Sequence, residues 1–384
     1  MKNLLCLSPI LLLAASCLPL HAQPITAARK PADEIIAYIF VQDRTIAPGE
    51  VDPKKLTRIN YAFANVKDGK VVTGFAHDRE NYAILNQLKQ QNPSLKVLAS
   101  VGGWSWSGAF SDVSLTASSR KKFIDSAMEF VREYKLDGID IDWEYPGQTG
   151  NGNTFRPEDK QNYTLLLKEM RERFDREGKL LGRHLYTSVA TAGDENFLSH
   201  TEMPQVARYL DSVNLMCYDY YEPDSDKNTG NHAPLYTDPA DPKHISADAS
   251  VKLYLAAGVP SRKIVLGVPF YGHVWGNVPA TNHGLFQPGN QIKLDANYHS
   301  IVDNLLKNGF TRYWDSTAAS PYLYNASQKV FVSYEDPESL KLKSQYVLEH
   351  DLGGMMFWEY SGDHNHELVN TIAQGLAGSV KPLP

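Results

Sequence analysis

A chain of 384 residues with 42% hydrophobic and 21% charged side chains has the make-up of a globular protein, not of a disordered or fibrous one. Its formal net charge of -6, without any basic run, argues against a nucleic-acid partner, because phosphate binding relies on clustered Lys and Arg that release counterions. The 21 Tyr and 6 Trp would serve equally well for stacking on sugar rings and for filling a core, so the aromatic count alone decides nothing.

Lys2, the apolar run Leu4 to Leu13, a few small residues and Leu20-His21-Ala22 follow the order of a secretory signal peptide. The expected boundaries are residues 1–22, with cleavage after Ala22 and a secreted or periplasmic product. Lipid attachment at Cys17, behind Ala15-Ser16, is the alternative. Loss of this segment removes Cys6 and Cys17 and leaves Cys217 as a lone thiol, so stability must come from a large core and not from a disulfide. No other stretch is long and apolar enough to span a bilayer.

From Glu34 the chain alternates apolar runs with helical patterns. Strands are expected at Ile35–Phe40, Arg58–Asn65, Lys96–Val101, Gly138–Glu144, His184–Ala190, Ser212–Tyr218, Ile264–Phe270 and Gly354–Trp358. Several are near-continuous in branched and aromatic residues, as parallel strands buried on both faces are. Between them, Phe123, Ala127, Phe130 and Val131 form one helical stripe, and Tyr163, Leu166, Leu167, Met170 and Phe174 another. This alternation predicts an α/β fold, a (β/α)8 barrel over residues 32–384, and no glycine-rich phosphate loop argues for a doubly wound sheet instead. The pattern breaks over 273–332, which is rich in Gly, Asn, Tyr and Pro. It is too long for a structureless loop and is expected to be a small α+β insertion after the seventh strand, before a helix at Pro337–His350.

Asp140, Asp142 and Glu144 stand at i, i+2 and i+4 of the fourth expected strand, so they share one face, while Ile139, Ile141 and Trp143 share the other. The carboxylates would line the barrel interior, with Glu144 last, at the C-terminal mouth where barrel enzymes do their chemistry. Like charges this close cannot all ionise, so at least one keeps a proton near neutral pH. That yields a general acid, and Glu144 is best placed to meet a substrate. An inert, solvated acidic strand is the competing reading, and the apolar residues on the opposite face argue against it.

Asp137-Gly138-Ile139-Asp140-Ile141-Asp142-Trp143-Glu144 resembles the signature of glycoside hydrolase family 18, the chitinase family. The resemblance extends to Ser100-Val101-Gly102-Gly103-Trp104, Tyr61-Ala62-Phe63, Met216-Cys217-Tyr218-Asp219, Thr229 to Tyr236, Pro269-Phe270-Tyr271-Gly272 and Gly353 to Trp358, in the family's order. Tyr313-Trp314-Asp315 and Pro321-Tyr322 resemble the family's insertion domain.

The resemblance implies a secreted chitinase that cuts β-1,4 links between N-acetylglucosamine units of chitin or chitooligosaccharides, by a retaining, substrate-assisted route. Glu144 would be the acid/base. Asp142 would hold the acetamide N–H, supported from below by Asp140 and Ser100. Tyr218 would bind the acetamide oxygen, Asp219 the sugar or Glu144, and Trp358 would floor the distorted sugar. Gly103, Tyr61, Met216 and Tyr271 are implied on the substrate side, and Trp104, Tyr145 and Trp275 as contacts for neighbouring sugars. Phe63 remains open between cleft and core.

No metal or cofactor is expected, since His364-Asn365-His366 lacks ligand spacing and Cys217 reads as a small buried residue. A monomer is expected. Tyr220-Tyr221-Glu222-Pro223-Asp224 departs from the family pattern, which leaves that cleft wall undefined. The rival readings are an endo-β-N-acetylglucosaminidase acting on N-glycans, a non-catalytic chitin-binding lectin (disfavoured by the presence of Glu144), and a metal-dependent deacetylase, which would need a His/Asp cluster.

Overall fold

The computed structural model describes residues 33–378; the expected signal peptide, with Cys6 and Cys17, lies outside them. Eight parallel strands form the centre: β1 (Glu34–Phe40), β2 (Arg58–Lys67), β3 (Lys96–Gly102), β4 (Gly138–Asp142), β5 (Tyr186–Ala192), β6 (Ser212–Met216), β7 (Ile264–Pro269) and β8 (Gly354–Trp358). Each pairs with the next, and β8 pairs with β1, so the sheet closes and has no free edge. The expected strands fall on these eight. The differences are of a few residues at their ends: β5 runs Tyr186–Ala192, and β4 stops at Asp142 and β6 at Met216, which puts Glu144, Tyr218 and Asp219 in loops at the mouth.

Helices begin where the sequence supplies caps. Thr116 and Ser119 form a reciprocal capping box at Ala117–Glu133, and Asp336 with Ser339 does the same at Pro337–Glu349, where proline opens the helix. Asp159–Leu181 ends at Gly182 in left-handed backbone (φ 65). Phe123, Ala127, Phe130 and Val131 of one helix, and Tyr163, Leu166, Leu167, Met170 and Phe174 of the other, are all buried in the layer between helices and barrel. Each large side chain there contributes roughly 1.5–3 kcal/mol. Ile139, Ile141 and Trp143 belong to this outer layer, which turns Asp140 and Asp142 inward. No helix among the described residues is long and apolar enough to cross a membrane.

Between β7 and β8 the chain forms a second, antiparallel sheet. Its strands run in the order Asn290–Gln291, His273–Gly276, Val330–Ser333, Ser320–Asn325, Thr311–Asp315. Trp275, Val278, Leu285, Tyr322, Tyr324 and Phe331 pack together behind it, joined by Tyr221. Just beyond this sheet Glu335 pairs with Lys343, both fully buried, and Lys343 Nζ also donates to the Ala233 carbonyl at 2.6 Å. A buried ion pair of this kind resists the loss of either partner.

Candidate active site

The closed barrel opens at the C-terminal ends of its strands into a cavity of about 550 Å³. Deep in the barrel, Asp140 accepts hydrogen bonds from Tyr38 (2.9 Å), Ser100 (2.8 Å), Ser188 (2.6 Å) and Asn214 (3.2 Å), which join β1, β3, β5 and β6 to β4. Burial nevertheless raises its pKa. One residue pair further up, Asp142 lines the cavity, and its buried Oδ1 has no partner. Burial, then the charges of Glu144 and Asp140, push Asp142 well above the usual carboxylate range. Ser100 and Asp140 lie beneath Asp142 without hydrogen-bonding to it; Ser100 donates to Asp140 instead.

Glu144 also lines the cavity. Its backbone N–H meets Ser107 Oγ at 3.3 Å, and that hydroxyl donates to the Asp142 carbonyl at 2.6 Å, so the turn after β4 is pinned. Desolvation first, then the Asp219 and Glu222 charges, push Glu144 up to about 8, so it holds its proton at neutral pH. Asp219 goes the other way. Burial would raise it, but the neighbouring imidazoles of His232 and His273 outweigh that and hold it well below the usual range. Tyr271 donates to Asp219 Oδ1 at 2.5 Å, and His273 Nε2 lies 2.8 Å from the same atom. One fold thus keeps a protonated acid and a fixed anion in one cavity.

The rest of the lining is largely aromatic. Trp358 stacks on Phe63 (5.3 Å, 21°) and packs against Phe40 at 5.5 Å, while Phe75 leans on Trp106 at 5.1 Å. Met216 and Tyr218 complete the wall near Asp142, and Trp104 stands 55% exposed at the rim. Such faces suit sugar rings.

Of the residues expected here, Glu144, Asp142, Tyr218, Asp219, Trp104, Phe63, Met216, Tyr271 and Trp358 line the cavity, and Asp140 and Ser100 lie beneath it. Tyr61, Trp275, Tyr145 and Gly103 do not line it. Tyr61 is fully buried on the outer face of β2, donating to Asp78 at 2.9 Å. Strand alternation sends it outward, and a register shift between Ala62 and Ala64 is what brings Phe63 in. Trp275 is sealed behind the second sheet. Tyr145 is buried too, but its hydroxyl donates to the Trp104 carbonyl at 2.9 Å and its ring meets Trp104 edge-on. Gly103 (φ 78) acts through what it lacks, since a Cβ there would come within 2.6 Å of the Phe63 ring.

Tyr38, Phe40, Gln42, Phe75 and Trp106 line the cavity without a signal read from the sequence, and Glu222 and Asp224 supply the cleft wall that the departure at Tyr220 to Asp224 left undefined. Alternation along β1 could have flagged Tyr38 and Phe40; the loop residues offer no periodic signal. Asp219, His232 and His273 also converge with donor atoms within 4.8 Å of one another, a set with the chemistry to hold a metal ion.

Residues 34–363 match the family model for glycosyl hydrolases family 18. The chain is 38% identical to chitinase A1 of Niallia circulans over 94% of its own length, spanning 61% of that relative, and 33% identical to chitinase 1 of Aphanocladium album, spanning 83% of it. Among solved structures it resembles a family 18 N-acetylglucosaminidase from Paenibacillus barengoltzii (41% identity, TM-score 0.82, 89% of this chain and 99% of that one). It also resembles a chitinase from Bacillus thuringiensis (32% identity, TM-score 0.85, 92% and 71%). With the matched region taking in the barrel and the carboxylate strand alike, the chain belongs to the glycosyl hydrolases family 18.

Proposed function

We propose that the protein is a secreted chitinase that hydrolyses β-1,4 links between N-acetylglucosamine units by a retaining, substrate-assisted mechanism. The observation that carries this reading is the presence in one cavity of Glu144, pushed up to about 8, and Asp142, whose buried Oδ1 lacks a partner. In this mechanism the acetamido oxygen of the sugar before the scissile bond attacks its own anomeric carbon. The glycosidic C–O bond breaks as Glu144 protonates the leaving oxygen. Asp142 accepts the acetamide N–H and steadies the oxazolinium ion, Tyr218 binds the acetamide oxygen, and Trp358 floors the ring. Glu144, now a carboxylate, takes a proton from the water that reopens the ring at the same face. We take the antiparallel sheet over 273–333 to be the family's insertion domain, deepening the cleft for a linear chain.

A second reading, removal of single sugars, is favoured by the N-acetylglucosaminidase to which the chain is 41% identical. Hydrolysis of chitohexaose, with anomers followed by proton NMR, tests both. The expected outcome is β-anomeric oligosaccharides, a loss of about 100-fold or more in Glu144→Gln, and kcat/KM that falls above about pH 8 as the acid loses its proton. Monosaccharide as the sole early product would replace the chitinase with the second reading. Binding without cleavage by the folded protein would leave a lectin.

A further inference from the structure

Beside the cleft, three segments distant in sequence bring together a carboxylate and two imidazoles. Asp219 follows β6 in left-handed backbone (φ 58), His232 comes from the stretch Thr229 to Tyr236, and His273 opens a strand of the second sheet. His273 Nε2 stands 2.8 Å from Asp219 Oδ1, and His232 Nδ1 stands 3.6 Å from the same oxygen. Ligands bound to zinc at about 2.0–2.1 Å in a tetrahedron stand roughly 3.3 Å apart, so these donors need only small movements to share an ion.

His232 supplies an independent pointer. It is fully buried, and neither of its ring nitrogens has a hydrogen-bond partner. A buried polar ring in that condition is costly unless something satisfies it. Its Nδ1 faces Asp219, whose side chain is 35% exposed and lines the cavity, which gives an ion a way in and leaves a coordination position for water.

We propose that Asp219, His232 and His273 form a site for a divalent first-row transition ion, zinc(II) or copper(II), and that the bound ion inhibits the enzyme. Two imidazoles and one carboxylate suit these ions, whereas calcium and magnesium seek all-oxygen shells. The ion takes the oxygen that Asp219 now shares with the Tyr271 hydroxyl and sets a double positive charge in the cleft wall. It is therefore an inhibitor and not a cofactor. The site stands independently of which glycoside the cleft accepts.

The test uses the full chain stripped with a chelator. Zinc chloride is titrated by calorimetry, and copper(II) is read by electron paramagnetic resonance. One site is expected, with two nitrogen donors in the copper spectrum. His232→Asn and His273→Gln should each weaken zinc by roughly 100-fold or more and remove one nitrogen coupling. Circular dichroism confirms that each variant is folded, and His273, being part-exposed, is the safer of the two to replace. Zinc should also suppress oligosaccharide hydrolysis reversibly by chelator. Zinc binding unchanged in both variants would move the ion elsewhere, for instance to the stacked His299–His364 pair (3.7 Å), and overturn the site. Binding through these donors with undiminished hydrolysis would overturn the inhibition.

Discussion

Replacing Glu144 by Gln should stabilise the fold, by an amount set by pH. In the folded protein the carboxyl sits at about 8 instead of its ordinary 4.5, chiefly because it is desolvated and then because Asp219 and Glu222 face it. The unfolded chain releases this proton near 4.5. Between those two values the folded state binds more protons than the unfolded one, so this group's contribution to stability falls as pH rises. At 1.36 kcal/mol per pKa unit, the penalty is absent below about pH 4.5, reaches roughly 3 kcal/mol at pH 7 and levels off above about pH 8. Gln keeps the shape without the charge and escapes the penalty. With about 2.1 cal/mol/K of unfolding entropy per residue, a barrel of this size gains roughly 1.4 °C per kcal/mol, or about 4 °C at pH 7. Differential scanning calorimetry of wild type and variant from pH 4.5 to 9 measures the gap. A gap that is constant across that range, or that narrows as pH rises, would refute the reasoning.

Trp104→Ala should raise KM for chitooligosaccharides about fivefold or more with kcat little changed, and shift unfolding by less than about 0.5 kcal/mol, because the ring is exposed at the rim. Steady-state kinetics and urea melts read the two separately. Asp140→Ala strips the acceptor from three hydroxyls and one amide; urea unfolding should show a loss of about 3 kcal/mol or more. Lys343→Met leaves Glu335 buried without its cation and should cost about 3–5 kcal/mol, with most of it recovered in the double variant Lys343→Met/Glu335→Leu. Failure of the double variant to recover would mean that Lys343 matters through the Ala233 carbonyl and not through the ion pair.

The barrel was legible because parallel strands covered on both faces must be apolar almost throughout, and few other arrangements produce that run of letters. The carboxylate strand was legible for a related reason: a period of two, read against Ile139, Ile141 and Trp143, fixes which face holds the acids. Phe63 shows where the same rule stops. Alternation alone would turn it outward with Tyr61; the shifted register between Ala62 and Ala64 brings it in, and no pattern in Tyr61-Ala62-Phe63 announces it. The resemblance implies Trp275 as a contact for neighbouring sugars, yet its burial is decided by Tyr221 and Phe331, far away in sequence. Glu222, Asp224, His232 and His273 reach the site or its edge through loops and a strand of the second sheet, whose paths follow from tertiary contacts and not from periodicity.

The aromatic floor has a consequence for how the enzyme is made. Phe40 lies on β1, Phe63 on β2 and Trp358 on β8, so the floor straddles the seam where the last strand joins the first. A nascent chain that has reached only Leu352 carries every carboxylate of the site and no Trp358. With Trp358 flooring the sugar as proposed, a chain ending there should hydrolyse no chitohexaose, because the floor is closed only when the last strand joins the first.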